Sequence, residues 1–306
     1  MSIVEKALQK AQGAKPPTEA PRGTDAVEAA ASTTPPSPTP PSTPVSSRGS
    51  LALGSTVNIN LVELRAQGRL APDGLAHRTE DEFRRIKWPL LNAISRREGA
   101  APAANNLILV TSAVPGEGKT FTALNLALSL AREPDIEVLL VDGDVVQPSL
   151  SASLGLTSRP GLTDVVADPG LDVSSIICPT SIDRLFVAPA GARRDNSPEL
   201  LGSVRMASLM TELAQRVAPG VVVIDSPPVL ATNEAQVLSR YVGQILMVVR
   251  ADLTEQRLVK EALALLDRTK PVSAVLNKVE SSLISRYYSY YYYGYGTDAK
   301  GQGGKA

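Results

Sequence analysis

Soft metal ligands are almost missing from this chain, whose 306 residues include one cysteine, Cys178, and one histidine, His77. A lone cysteine excludes an internal disulfide framework, and the two residues together cannot furnish a structural zinc site. Net charge is missing as well, since 31 Lys plus Arg balance 31 Asp plus Glu. No overall positive field advertises nucleic acid as a partner, and no acidic excess marks a solvating tail. No segment approaches the roughly 18 uninterrupted apolar residues that a bilayer crossing requires. The longest apolar runs are broken by Asp142, Asp225 and Arg250. The first residues, "MSIVEKALQKAQ", interleave lysines with apolar positions and do not read as a signal peptide. A soluble chain in a reducing compartment is expected. Aromatic residues make up only 4% of the chain, which makes their placement conspicuous: seven of the eight tyrosines fall at positions 287–295.

What is present divides the chain into four stretches. Ser2 and Glu5 form a capping-box pair, so residues 1–12 are expected to make a short amphipathic helix suited to docking. Residues 13–54 are rich in Pro, Ser, Thr and Ala and carry almost nothing bulky, the composition of a disordered linker. Residues 55–284 hold the apolar content of a folded domain, and residues 285–306 read as a flexible tail, with a serine and glycines among the tyrosines. At the start of the domain, "VNINLVELRAQG" suits a short strand or helix. "TEDEFRRIKWPLLNAIS" suits a helix capped by Thr79 and interrupted before Pro89. From Leu107, six β-branched runs alternate with helical stretches such as "TFTALNLALSLAR". That alternation predicts an α/β fold of the P-loop NTPase type, a mostly parallel sheet with helices on both faces. Ligands in such sheets bind at the carboxyl ends of the strands.

The loops at those ends carry the chemistry. After the first run comes "SAVPGEGKTF", a glycine-bearing turn that opens a helix. Gly116 and Gly118 let backbone N–H groups approach phosphate oxygens, Lys119 neutralises the β and γ phosphates, and Thr120 can ligate Mg²⁺. Pro115, Gly116, Glu117, Gly118, Lys119, Thr120 and Phe121 are therefore expected to bind ATP, although Ala113 stands where the general pattern has its first glycine. The second loop, "VLLVDGD", ends a strand with Asp142 and Asp144, which strand alternation would point the same way. One can hold Mg²⁺ while the other takes a proton from an attacking hydroxyl. The third, "VVVIDSPP", contributes Asp225, expected to orient metal-bound water and to bond Thr120. Thr120, Asp142 and Asp225 are the expected Mg²⁺ residues. Asn277 and Lys278, at the end of the last run, can contact a purine or cap the strand.

With these residues in view, the chain resembles the bacterial tyrosine kinases of polysaccharide-export systems, and most of all the autokinases that accompany exosortase-linked exopolysaccharide clusters. "PGEGKT", "VLLVDGD" and "VVVIDSPP" match that family's three Walker-type motifs, and the tyrosine cluster matches its autophosphorylation tail. The resemblance implies transfer of the γ-phosphate of ATP to Tyr287, Tyr288, Tyr290, Tyr291, Tyr292, Tyr293 and Tyr295, with Lys119, Asp142 and Asp144 as catalytic residues. It further implies a homo-oligomer, ring-like, assembled through Asp81, Arg84 and Lys87 on the helix near 79–97. A membrane chain-length determinant protein would hold the chain at the cytoplasmic face of the inner membrane, and a phosphotyrosine phosphatase would reverse the modification. The role would be control of exopolysaccharide chain length, polymerisation or export. Two departures stand out. Val146 replaces a basic residue, and lysine replaces arginine at Lys87, which loses bidentate pairing.

Two other readings compete. Partitioning ATPases share the sheet, but they carry lysine and glycine early in the phosphate loop, where this chain has Val114 and Pro115, and they have no use for a tyrosine tail. A catalytically weak assembly factor would stack its tail on neighbours through aromatic contacts, yet has no need of Lys119 and three aspartates. If the tail is the substrate, full modification adds on the order of ten negative charges, enough to loosen an assembly of like tails.

Overall fold

The computed structural model describes residues 55–95 and 105–279. The expected N-terminal helix, the linker and the tyrosine tail lie outside the described residues. Nine α-helices are used below: α1 (Leu61–Ala66), α2 (Ala76–Ser95), α3 (Lys119–Leu130), α4 (Ser149–Ser153), α5 (Leu162–Ala167), α6 (Ser197–Leu201), α7 (Val204–Val217), α8 (Glu234–Ser239) and α9 (Gln256–Leu265). The strands are β1 (Leu107–Ser112), β2 (Val138–Asp142), β3 (Cys178–Pro179), β4 (Leu185–Ala188), β5 (Val221–Asp225), β6 (Gln244–Arg250) and β7 (Val272–Asn277). They form one seven-stranded sheet in the order β3-β4-β2-β5-β1-β6-β7. Every pairing is parallel except that of β3 with β4.

The central strands are buried end to end, and successive side chains go to opposite cores. Leu107, Leu109, Leu139, Val141, Val222 and Ile224 join α5 to α9 on one face. Ile108, Val110, Leu140, Val223, Leu246 and Val248 join α1 to α4 on the other. Two covered faces explain why these strands read as continuous apolar runs rather than as alternation.

The expected mostly parallel α/β sheet is therefore present, with three local differences. β3 has only two residues, too short for any periodicity to show. "VNINLVELRAQG" takes both of its options: Val57 bridges to Thr180, and Asn60 then caps α1, its Oδ1 accepting from the N–H groups of Val62 and Glu63. Helix α2 begins three residues before Thr79 and continues through Pro89 to Ser95. A proline inside a helix costs about 3 kcal/mol. Burying Phe83 and Leu90 returns roughly 1.5–3 kcal/mol each, and both are essentially inaccessible. Gln244 Nε2 also donates to the Leu90 carbonyl at 3.1 Å, fixing the helix beyond the proline.

Candidate functional site

The phosphate loop hangs between β1 and α3. Its turn needs two residues in the left-handed region, Gly116 at φ 81° and Gly118 at φ 100°, a conformation that side chains disfavour. At Gly118 space is limiting too, because a Cβ there would overlap the side-chain amide nitrogen of Asn277. Helix α3 then starts at Lys119, with its unmatched N–H groups at the end that favours anions. Sheet register brings in the carboxylates. Asp142 on β2 and Asp225 on β5 are direct neighbours, and Asp225 is also opposite Val110 on β1.

Asp142 and Asp144 meet different partners. The extended backbone ends at Asp142. Gly143 N–H turns to the Asp225 carbonyl at 2.7 Å, and Asp144 N–H folds back onto Asp142 Oδ1 at 3.2 Å. Asp142 Oδ2 accepts from both the N–H and the hydroxyl of Ser151 at 2.7 Å. Burial pushes this carboxyl up to about 6, against the lowering effect of those bonds. Asp144 instead meets Lys119 Nζ at 2.8 Å, with both side chains nearly buried.

Asp225 is the anomaly of the site. It is wholly inaccessible, and neither carboxylate oxygen has a hydrogen-bond partner among the described residues. Burial pushes its carboxyl up to about 7, with the Lys119 charge pulling the other way and Asp142 adding to the rise. The Thr120 hydroxyl lies near enough to ease that rise, but its bonding geometry is to Ser149 Oγ at 3.3 Å rather than to Asp225. An unmatched buried carboxylate is costly, and a cation offsets that cost. Mg²⁺ asks for only one or two carboxylates beside phosphate oxygens and water, so Asp225 and Thr120 fit it. Among the described residues no group of three or more His, Cys, Asp or Glu forms a ready cage. Asp142, also expected as a metal residue, has both oxygens committed to neighbouring donors.

One cleft of about 1270 Å³ opens over this arrangement, lined by Pro115, Gly116, Gly118, Lys119, Thr120, Phe121, Asp144 and Asn277 among others. Glu117 faces away from it. Asn277 spends its amide on the loop, Nδ2 donating to the Glu117 carbonyl at 2.8 Å, and Lys278 Nζ holds the Gly116 carbonyl at 3.0 Å. The roles of Ser151 and of the Glu117 side chain were not anticipated. No spacing rule links an aspartate to a serine nine residues on, and motif membership had assigned Glu117 to the ligand side.

The three residues expected to mediate self-assembly are split by the structure. Asp81 and Arg84 are exposed and pair with each other at 3.0 Å. Lys87 turns inward, pairing with Glu133 at 2.6 Å and donating to the Ser129 carbonyl at 2.8 Å. With Phe83 and Phe121 at a centroid distance of 6.2 Å, these contacts dock α2 on α3. The seven tyrosines of the tail lie outside the described residues.

Comparison with known proteins agrees with this geometry. The family model described as "ParA: NUBPL iron-transfer P-loop NTPase" matches residues 103–281. Tyrosine-protein kinase Wzc of Salmonella typhimurium is 32% identical over 201 residues, 65% of this chain, although the chain spans only 27% of Wzc. The putative tyrosine-protein kinase CapB of Staphylococcus aureus is 32% identical over 186 residues, covering 60% of this chain and 80% of CapB. Among solved structures, the BceF tyrosine kinase domain is 27% identical with a TM-score of 0.58, covering 74% of this chain and 92% of that one. With the phosphate loop, the two strand-end carboxylates and these relatives in agreement, the chain belongs to the bacterial tyrosine-protein kinases, within the ParA-type P-loop NTPases.

Proposed function

We propose that the chain is an ATP-dependent protein-tyrosine autokinase that phosphorylates the cluster Tyr287–Tyr295. The observation that carries this reading is the convergence of Lys119, Thr120 and Asp144 on a cleft whose wall includes Val279, eight residues before Tyr287. Eight residues span at most about 25–30 Å. The cleft also exceeds the roughly 300–1,000 Å³ of an ordinary small-molecule pocket, which leaves room for a phenol beside a nucleotide.

The residues divide the work. Backbone N–H groups of Gly116 to Thr120 cradle phosphates, Lys119 neutralises the transferring group, and Thr120 and Asp225 would hold Mg²⁺, which would supply further charge neutralisation when bound. A tyrosine hydroxyl attacks the γ-phosphorus, the bond to the β-bridging oxygen breaks, and one of Asp142 and Asp144 accepts the phenolic proton. Asp142 has the raised basicity for that task, and Asp144 has access to the cleft. Positioning and charge neutralisation supply most of the rate.

Transfer is proposed to run in trans, between subunits of a ring-like homo-oligomer to which the exposed Asp81 and Arg84 contribute. No helix among the described residues is long and apolar enough to cross a membrane. A membrane-bound chain-length determinant is the proposed activator at the cytoplasmic face, with exopolysaccharide chain length, polymerisation or export as the controlled process and a phosphatase as the reset.

Incubation with labelled ATP and Mg²⁺, followed by mass spectrometry of the tail peptide, tests the activity. Phosphate on tail tyrosines in the wild type and none in Lys119→Met is expected. A wild-type tail that stays unmodified with a membrane partner present would sink the reading. For trans transfer, a Lys119→Met chain is mixed with an active chain lacking its tail. An unlabelled Lys119→Met tail in that mixture, alongside self-labelling wild type, means transfer within one chain.

A further inference from the structure

The phosphate loop contains a carboxylate that phosphate binding does not use. Glu117 lies two residues before Lys119, yet it is 1% exposed and its side chain turns into the protein. Both oxygens are engaged. Oε2 accepts from Val114 N–H at 2.8 Å, folding the loop back on itself. Oε1 accepts from Arg250 N–H at 3.1 Å and from the Thr254 hydroxyl at 2.6 Å, tying the loop to the turn between β6 and α9. From β7, Asn277 and Lys278 hold the carbonyls of Glu117 and Gly116.

Charge argues against a glutamate here. Burying a carboxylate is costly unless donors match it, and a negative group behind a phosphate cradle repels the ligand. Geometry argues the other way. A turn with two left-handed glycines has many alternative shapes, and donors aimed before the ligand arrives cost less to bind it.

We infer that Glu117 is a positioning residue, through which the β6–α9 turn sets the shape of the phosphate cradle and therefore nucleotide affinity, with Thr254 as its outer anchor. The inference rests on the nucleotide-binding part of the kinase reading and not on tyrosine transfer. Its consequence is that residues remote from the phosphates, Thr254 above all, tune affinity without touching the ligand. Thr254→Val separates shape from charge, since it removes one donor to Glu117 and leaves the carboxylate in place. Thr254→Ser keeps the hydroxyl.

The test is calorimetric titration of the full chain with Mg²⁺-ATP and with ADP, alongside thermal unfolding without nucleotide. Thr254→Val is expected to weaken affinity about five- to tenfold, the worth of one hydrogen bond, and Thr254→Ser to restore it. Glu117→Gln is expected to weaken binding at least as much, although it removes a repulsive charge. The ligand-free midpoint of Thr254→Val should move by no more than about 2–4 °C. Wild-type affinity in Thr254→Val, no rescue by serine, tighter binding in Glu117→Gln, or a loss that only follows a collapsed midpoint each overturns the inference. If the affinities behave as expected while the wild-type tail is never labelled, tyrosine transfer fails and the brace stands.

Discussion

Lys119 and Asp144 form an ion pair 2.8 Å long in the floor of the cleft, with side chains 13% and 5% exposed. The lysine that should meet phosphate is therefore held by a carboxylate that also repels phosphate. Nucleotide must displace that contact, so removing the carboxylate should help the ligand while harming the reaction. Asp144→Asn is expected to bind Mg²⁺-free ADP a few-fold more tightly than wild type. Tail labelling with Mg²⁺-ATP should fall on the order of 10²-fold or more, the range for a lost acid-base or charge-stabilising group. Titration of ADP in a chelator, beside labelling rates, checks both halves. Weaker ADP binding in the variant would mean that the pair prepares Lys119 rather than competing for it.

Asp225 should make the metal-free protein pH-sensitive. Its ordinary value is 3.8, and burial pushes it up to about 7 in the fold. The sign follows from linkage: its contribution to stability is fully present below about pH 4 and is lost as pH rises toward 7, because the unfolded chain ionises first. The gap corresponds to on the order of 2–4 kcal/mol. Asp142, raised to about 6, acts in the same direction. In a chelator, the unfolding midpoint should fall between pH 5 and pH 8, and Asp225→Asn should flatten much of that fall. Added Mg²⁺ with nucleotide should restore stability at pH 8 in the wild type only. An equally steep fall in the variant would place the sensitivity elsewhere.

The sheet and the phosphate loop were legible because their signals are local. Buried parallel strands leave unbroken apolar runs, and a cradle needs glycines, lysine and threonine at fixed spacing. What failed to show depended on distant partners. Asp142 and Asp144 take different partners because the strand ends at Asp142, where Gly143 is drawn to the Asp225 carbonyl, Ser151 claims Asp142 and Lys119 claims Asp144. Lys87 turns inward because the Ser129 carbonyl waits on α3 and Glu133 just beyond its end. Pro89 is itself exposed and stays helical because Phe83, Lys87 and Leu90 of the same helix are buried on another face. The Asn277 side chain bonds the loop, a contact between residues 160 positions apart.

Gly118 joins two demands that substitution would expose separately. Its φ of 100° disfavours any side chain, and the Asn277 amide occupies the space a Cβ would need. Strain of this kind costs about 1–3 kcal/mol. Gly118→Ala should therefore lose about 5- to 150-fold in nucleotide affinity. Combining it with Asn277→Ala should recover part of that loss by relieving the overlap while leaving the backbone strain. A double-mutant cycle on nucleotide affinity measures the coupling. Strict additivity would show that the overlap relaxes at no cost.

Helix α2 offers the clearest separation of stability from assembly. Lys87 is buried against α3, whereas Arg84 is exposed and pairs with Asp81 and Glu80 of its own helix. Lys87→Met removes the partner of Glu133 and the donor to Ser129. Because Glu133 remains about a third exposed, solvent screens part of the loss, and about 1–3 kcal/mol is expected rather than the 3–5 kcal/mol of a fully buried pair. That should lower the unfolding midpoint by several degrees with little change in sedimentation of the folded species. Arg84→Glu should do the reverse, leaving the midpoint in place and shifting the sedimentation profile toward smaller species. Exposed charges contribute little to stability but much to partner choice, since like charges brought together at an interface are heavily penalised. If Arg84→Glu sediments as the wild type does at concentrations where the wild type self-associates, the assembly face is elsewhere. In that case the charges of α2 serve only to hold the helix itself.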